Sequence, residues 1–281
     1  MSEKKIKILQ PFSESYTLDI ESTTKAITLE TYSKVRMRYN FQVLEIEENS
    51  FICNLVKTDQ KLLESNNPII NEIQQISSVF GRMYNNIKVR LSNEGKVMDV
   101  LNTNLILDKW EETKEEMQKH ISGNIDLENT ISLNDEIFKD PEKVKIAVQA
   151  QEFFSIYFGH FFGKDLPFSN KYITAPNLFS TALLKWKYNI DGHLSRKNDH
   201  LNAIIKTKGE DSDLNIGFNN RAYAQFKEHI NIYNVSAKIS EEAEHIYSFE
   251  GGNLLNANIK KEEIVDENQL FIKFNYSMNR D

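Results

Sequence analysis

The sequence predicts an α+β fold: two tandem antiparallel β-sheet units related by pseudo-two-fold internal duplication, with helices packed on the sheets. Three observations predict it. Short blocks of the first hundred residues recur in the last hundred, in the same order. The recurring blocks alternate apolar and polar residues with period two. The stretch between them changes to helical spacing. These observations divide the 281 residues into a first β-rich unit with one helix (1–102), a helical connector (103–166) and a second β-rich unit (167–281).

The blocks begin with Pro11-Phe12-Ser13 and Tyr16, which recur as Pro167-Phe168-Ser169 and Tyr172. Arg36-Met37-Arg38-Tyr39-Asn40-Phe41 recurs as Lys185-Trp186-Lys187-Tyr188-Asn189-Ile190, and Leu55-Val56-Lys57-Thr58 as Ile204-Ile205-Lys206-Thr207. Met83-Tyr84-Asn85 matches Ile232-Tyr233-Asn234, and these last three pairs share the offset 188 − 39 = 149. Val35, Met37, Tyr39, Phe41 and Val43 alternate with Arg36, Arg38, Asn40 and Gln42, as a half-buried antiparallel strand requires. Leu184, Trp186, Tyr188 and Ile190 alternate in the same way. Turns follow at Glu48-Asn49-Ser50 and Lys197-Asn198-Asp199, so each unit holds a hairpin in the same place.

Asn67 and Pro68 then form a helix start, with Ile69, Ile73, Ile76, Phe80 and Met83 at helical spacing. The matching stretch 218–235 reads as helix or strand. A second hairpin closes each unit, turning at Asn93-Glu94-Gly95 and at Gly251-Gly252, and Leu270 to Tyr276 adds a further strand. In the connector, Ile106, Trp110, Thr113, Met117 and Ile121 space out one amphipathic helix. After a polar stretch a second is predicted from Asp140-Pro141 to about Phe162. Its end is apolar nearly all round, which predicts burial between or across the sheets.

Composition narrows the function. A net charge of −7 with no basic stripe argues against nucleic acid and against an anionic membrane surface. No apolar run approaches the roughly 20 residues of a membrane helix. The N-terminus lacks the apolar core of a signal peptide, so the expected compartment is the cytoplasm unless a leader has been removed. The single cysteine, Cys53, lies in an apolar run and reads as a buried strand residue. No glycine-rich phosphate loop, nucleophile elbow or metal spacing occurs, and no cofactor is implied.

The histidines match nothing across the two units, and His160 among aromatics reads as a core residue. The acidic pairs, among them Glu111-Glu112, Glu241-Glu242 and Glu262-Glu263, read as solvated faces. Two groups remain as candidate binding residues. Arg36, Arg38, Lys185 and Lys187 form the one patterned basic feature, suited to an acidic partner clasped between the units. Phe153, Phe154, Tyr157, Phe158 and Phe161 form the aromatic helix. Duplicated architecture without duplicated chemistry points to a non-catalytic adaptor, scaffold or chaperone-like clamp with a protein partner. The alternatives are a carrier of an apolar small molecule or lipid and a hydrolase with dispersed carboxylates. In charge and β-rich pairing the chain resembles the small acidic cytosolic chaperones of bacterial secretion systems, which implies a protein client.

Overall fold

Residues 5–118, 125–197, 200–211 and 216–281 are described by the computed structural model. The first run of elements is β1 (Phe12–Ala26), β2 (Leu29–Ile46), β3 (Ser50–Ser65), α1 (Pro68–Phe80), a 3-10 turn (Arg82–Tyr84), β4 (Asn86–Ser92) and β5 (Val97–Val100). Four helices follow: α2 (Thr103–Gln118), α3 (Ile125–Phe138), α4 (Pro141–Gln149) and α5 (Glu152–Phe158). The last run is β6 (Phe168–Pro176), β7 (Leu183–Lys197), β8 (His200–Asp211), α6 (Ile216–Ala222), a 3-10 turn (Ala224–Phe226), β9 (Lys238–Ser248), β10 (Leu254–Asp266) and β11 (Leu270–Arg280). Residues 216–222 and 224–226 are therefore helical, and 227–235 run through turns and not a strand. The expected turn at Asn198-Asp199 lies outside the described residues.

The strands form one sheet of eleven, ordered β5-β4-β3-β2-β1-β11-β10-β9-β8-β7-β6. Two separate sheet units were expected. They merge because β1 and β11 pair antiparallel from Tyr16–Arg280 to Ala26–Leu270, so each satisfies the backbone groups the other would leave open. Both runs cross the sheet in the same succession, with β11 between them. One is displaced from the other by six strand places, and they do not face each other across two abutting sheets.

The order of elements repeats more closely than the residue matches do. Tyr39 and Tyr188 are both buried, as are Phe41 and Ile190. But Phe41 pairs with Leu55 whereas Ile190 pairs with Thr207, so the sheet sets Leu55 against Thr207 and not against Ile204. Tyr16 faces Tyr39 and is fully buried, while Tyr172 faces Lys187 and is 48% exposed. A slip of one residue reverses which face a side chain meets. The β2–β3 hairpin closes at Ile46–Phe51 and shifts at Val43/Glu45, β7–β8 closes at Lys197–His200 without a shift, and β6–β7 shifts between Phe168 and Lys171, so turn length and bulges together put the two runs out of step.

Several local starts are as the sequence dictates. Asn67 caps α1 by accepting from Ile69 N at 3.0 Å, and Asp140 caps α4 by accepting from Glu142 N at 2.9 Å, each followed by proline. Ile106, Trp110, Thr113 and Met117 are the buried stripe of α2. The polar stretch of the connector is helical too, as α3. The long helix predicted from Asp140 is two helices, broken at Gln151, whose ψ of 136° is extended. The break lets α4 stay beside β5, where Gln149 Oε1 accepts from Val97 N at 2.7 Å, while α5 turns into the core.

Phe153, Phe154, Ile156, Tyr157 and Phe158 of α5 are all buried. Their rings meet Tyr16 of β1, Tyr39 and Phe41 of β2, Phe51 of β3 and Tyr247 of β9, at centroid distances from 4.9 to 6.4 Å. Hydrogen bonds add direction: Tyr16 Oη donates to Leu254 O and Leu254 N donates to Tyr157 Oη, each at 3.1 Å. Tyr247 Oη donates to the Tyr157 carbonyl. One short helix thus joins both halves of the sheet.

Two glycines fix the surroundings. Gly95 (φ +75°) in the β4–β5 turn lies against Phe158, where a Cβ would sit 2.2 Å from the ring. Gly252 (φ +67°) in the β9–β10 turn lies against the N-terminal segment, where a Cβ would sit 1.8 Å from Lys7 O. That segment buries Ile6 and Ile8 and is held by Gly163 N donating to Ile6 O at 3.0 Å. We expect Gly252→Ala to displace it and to cost at least about 2 kcal/mol in denaturant titrations, since backbone blocks the new methyl and φ is left-handed. A loss below roughly 0.5 kcal/mol would show that the segment is not docked there.

Candidate functional site

The four basic candidates do not come together. Arg36 is held by Asp19 in a two-point ion pair, Nε–Oδ1 2.7 Å and Nη2–Oδ2 2.8 Å, which keeps the Asp19 carboxyl below its ordinary range. Arg38 is exposed on the same face, and Lys185 lies 4.4 Å from the Tyr172 ring centre. Strands β2 and β7, which carry the two pairs, are separated by β1, β11, β10, β9 and β8. That is about 29 Å at roughly 4.8 Å per strand. The aromatic candidates do come together, but as packed core. Phe153, Phe154, Tyr157, Phe158 and Phe161 are each no more than 2% exposed, leaving no room for a ligand between the sheet and α5.

A concavity lies elsewhere, on the face of the sheet that points away from α5. It is a groove of about 1060 Å³ spanning β1, β11, β10, β9, β8, β7 and β6. Its position follows from the strand alternation. Ile190, Thr207, Ala243, Ile259 and Tyr276 form one row across the paired strands and turn their side chains toward the helix side. The rows on either side of it turn outward. One row is Asp191, Lys206, Glu244, Asn258, Ser277 and Asp19; the other is Asn189, Lys208, Glu242, Lys260, Asn275 and Glu21. All twelve line the groove. A second hollow of about 720 Å³ continues it past Lys208, Glu242 and Lys260 to Glu210, Lys238 and Glu262.

The groove alternates in sign. Lys206 pairs with Glu244 at 3.4 Å, Lys208 with Glu210 at 3.0 Å and Lys260 with Glu262 at 3.0 Å. These lysines are more than half exposed, so the pairs are worth little and can exchange for a ligand's charges. Asp19 and Glu21 at the far end are held by Arg36 and Lys34.

The inner face holds polar groups that sequence reading missed. Glu263 is fully buried and takes four donors: Asn177 Nδ2 and Tyr223 Oη at 2.8 Å, Leu178 N at 2.6 Å and Phe179 N at 3.3 Å. Burial nevertheless raises its carboxyl above the ordinary value. Glu241 is 6% exposed, bonded by Tyr188 Oη at 3.3 Å and paired with Lys261 at 3.1 Å. These two carboxylates were expected on solvated faces. The alternation Ile239, Glu241, Ala243, His245, Tyr247 is the signal that places Glu241 and His245 inside.

His245 is wholly buried, with Nε2 donating to Ile156 O at 3.0 Å and Nδ1 without a partner, and burial lowers it to about 4. His160, half-buried over the Tyr188 ring at 4.6 Å, is also lowered by burial. Lys164, whose Nζ donates to His160 O at 3.1 Å, is lowered to about 8 by burial and by the neighbouring Lys171. Cys53 is buried, and burial pushes its thiol up. Glu263 is bonded on both carboxylate oxygens, and Glu241 is held through Oε2 by Tyr188 and Lys261. The inner face therefore reads as packing chemistry.

Among the described residues, no three His, Cys, Asp or Glu side chains are grouped to hold a metal, and no helix is long and apolar enough to cross a membrane. No family model matches the chain, and no curated protein matches it. Among solved structures it is similar to one described as lipid–protein interactions in lipovitellin, at 8% identity and a TM-score of 0.45. The likeness covers 96% of this chain and 25% of that one, so the chain spans about a quarter of the length of the protein it matches.

Proposed function

We propose that this is a non-catalytic binding protein that holds a segment of another protein in the outer groove. The groove itself carries the reading: seven strands wide, open, and lined by alternating lysines, carboxylates and amides. A width of about 29 Å exceeds a small molecule and suits an extended chain of eight or nine residues at about 3.3 Å each. Five lining carboxylates against three lysines disfavour nucleic acid. The charged and amide side chains of the two outward rows disfavour a lipid. Tyr276 turns its ring inward, so the outer rows offer no aromatic platform for a sugar. The apolar-carrier alternative lacks space at α5, and the buried carboxylates Glu241 and Glu263 are engaged by their own donors, which disfavours the hydrolase alternative. The repeated order of elements supports an origin by duplication, with units at 1–102 and 167–281 and a connector at 103–166, preserved as topology more than as residue register.

The test is charge reversal. In Lys206→Glu/Lys208→Glu/Lys260→Glu, affinity for a polypeptide captured by the wild-type protein should fall at least about tenfold, or about 1.4 kcal/mol. The melting temperature should stay within a few degrees, because the altered pairs are exposed. Unchanged affinity overturns the assignment of the groove.

A further inference from the structure

We propose that Lys164 and Lys171 form a binding site for the phosphate group of a small molecule, placed where the two ends of the sheet meet. Glu94 and Lys96 belong to the β4–β5 turn at one end, and Lys171 to β6, the last strand at the other. The segment between α5 and β6 bridges them. Its Gly163 (φ +71°) lies so close to the turn that a Cβ would be 2.3 Å from Asn93 O, and this sets Lys164 beside Glu94. Lys164 Nζ donates to His160 O at 3.1 Å. Lys171 pairs across the sheet with Tyr188, and the His160 ring lies 4.6 Å from that of Tyr188, so Lys171 and His160 share one side of the sheet. The amines of Lys164 and Lys171 come within hydrogen-bonding reach of each other.

Two ammonium groups that close call for an anion, and the chain supplies less than one. Lys164 and Lys96 share Glu94 Oε2, each at 3.7 Å. Lys171 lies 5.6 Å from the centre of the Phe168 ring and pairs with no carboxylate among the described residues. Three lysines thus meet one carboxylate, in a chain whose net charge is −7. His160 adds no charge, since burial lowers it, and the Glu241 and Lys261 that it faces pair with each other at 3.1 Å. With the site empty a proton gives way: burial and Lys171 hold Lys164 down at about 8, against the pull of Glu94. An oxyanion between the two amines accepts from both and lets both be charged. Lysines act as compact point charges toward phosphate, whose second charge balances the second amine where a carboxylate would balance one. The Lys164 side chain is 25% exposed, so the site is open to solvent.

Isothermal titration of the full chain with inorganic phosphate, at constant ionic strength in chloride, should give a Kd of about 1 mM or tighter. Sulfate takes up no proton itself. Its binding at about pH 8, compared in buffers of different ionisation enthalpy, should show about half a proton taken up per anion, the proton of Lys164. Lys171→Gln should weaken phosphate at least about tenfold and remove the uptake. The melting temperature of the free protein should hold, because Lys171 has no ion pair to lose. Should that variant melt early, Lys171→Met keeps the apolar stem beside Phe168 and makes the same comparison. Glycerol phosphate bound as tightly as inorganic phosphate assigns the site to a phosphate ester, and weaker binding assigns it to the free ion; either result upholds the site. Absence of binding up to about 10 mM overturns it, as does binding that both variants leave unchanged or that takes up no proton. None of these outcomes depends on the groove.

Discussion

Tyr157→Ala is expected to destabilise the protein by about 3–5 kcal/mol, the range for truncating a large buried aromatic. The ring touches Tyr16 and Phe41 in the first run and Tyr247 in the last, and its hydroxyl accepts from Leu254 N. The loss should therefore fall on both runs at once. The two tryptophans report on each separately, since Trp110 packs beside Phe80 in the helical cluster and Trp186 lies in β7. Trp110→Phe and Trp186→Phe versions of the Tyr157→Ala protein should unfold at the same denaturant concentration. Two separated transitions would show that α5 does not join the halves. Tyr157→Phe keeps the packing but leaves Leu254 N unpaired, and should cost about 1–3 kcal/mol.

The second large effect is on pH. His245 titrates near 6.5 when unfolded and is lowered to about 4 in the fold, chiefly by burial. Below 6.5 the unfolded chain takes up a proton that the folded chain refuses. The stability tied to keeping His245 neutral is thus complete above about pH 6.5 and is lost as pH falls toward 4. The difference is worth about 3 kcal/mol. His160, lowered for the same reason, adds in the same direction. Glu263, raised in the fold, works the other way: its contribution is present below the unfolded value and is lost as pH rises through the folded one. Urea titrations at intervals from pH 7 to pH 4 should show the wild-type slope reduced by close to one proton in His245→Gln, whose amide can still donate to Ile156 O. Parallel pH profiles for the two proteins would rule out His245 as the cause.

Local physics was legible in the sequence. The alternation in β2 and β7 gave the correct buried residues except Met37, which is half-buried, Asn67-Pro68 and Asp140-Pro141 marked true helix starts, and the α2 stripe was complete as far as Met117. What escaped depends on partners far apart in the chain. Nothing local in β11 says that it pairs with β1, from Tyr16–Arg280 to Ala26–Leu270 at opposite ends of the sequence, so two sheets were expected where there is one. Matching blocks such as Leu55 and Ile204 share composition, but the length of the hairpin turn and a bulge at Val43/Glu45 set the register, and composition carries neither. The apolar end of the connector was rightly expected to be buried. Its use as packing rather than as a pocket wall follows from rings supplied by four strands.

The groove illustrates the same division. Each of its lysines and carboxylates is an ordinary outward strand residue, and the site exists only because seven strands lie side by side. Arg36 and Lys187, chosen for their pattern, fall outside it, though Asp19, the partner of Arg36, lines its end.

The groove is tested most directly by placing a photo-crosslinking amino acid at Asn258, at its centre, and at exposed Leu44 on β2, outside it, in protein produced in its native cells. Adducts to another polypeptide from Asn258, absent from Leu44 and lost in Lys206→Glu/Lys208→Glu/Lys260→Glu, are the predicted result. Adducts of equal yield from both positions, or none from Asn258 while a captured partner remains bound, would contradict it.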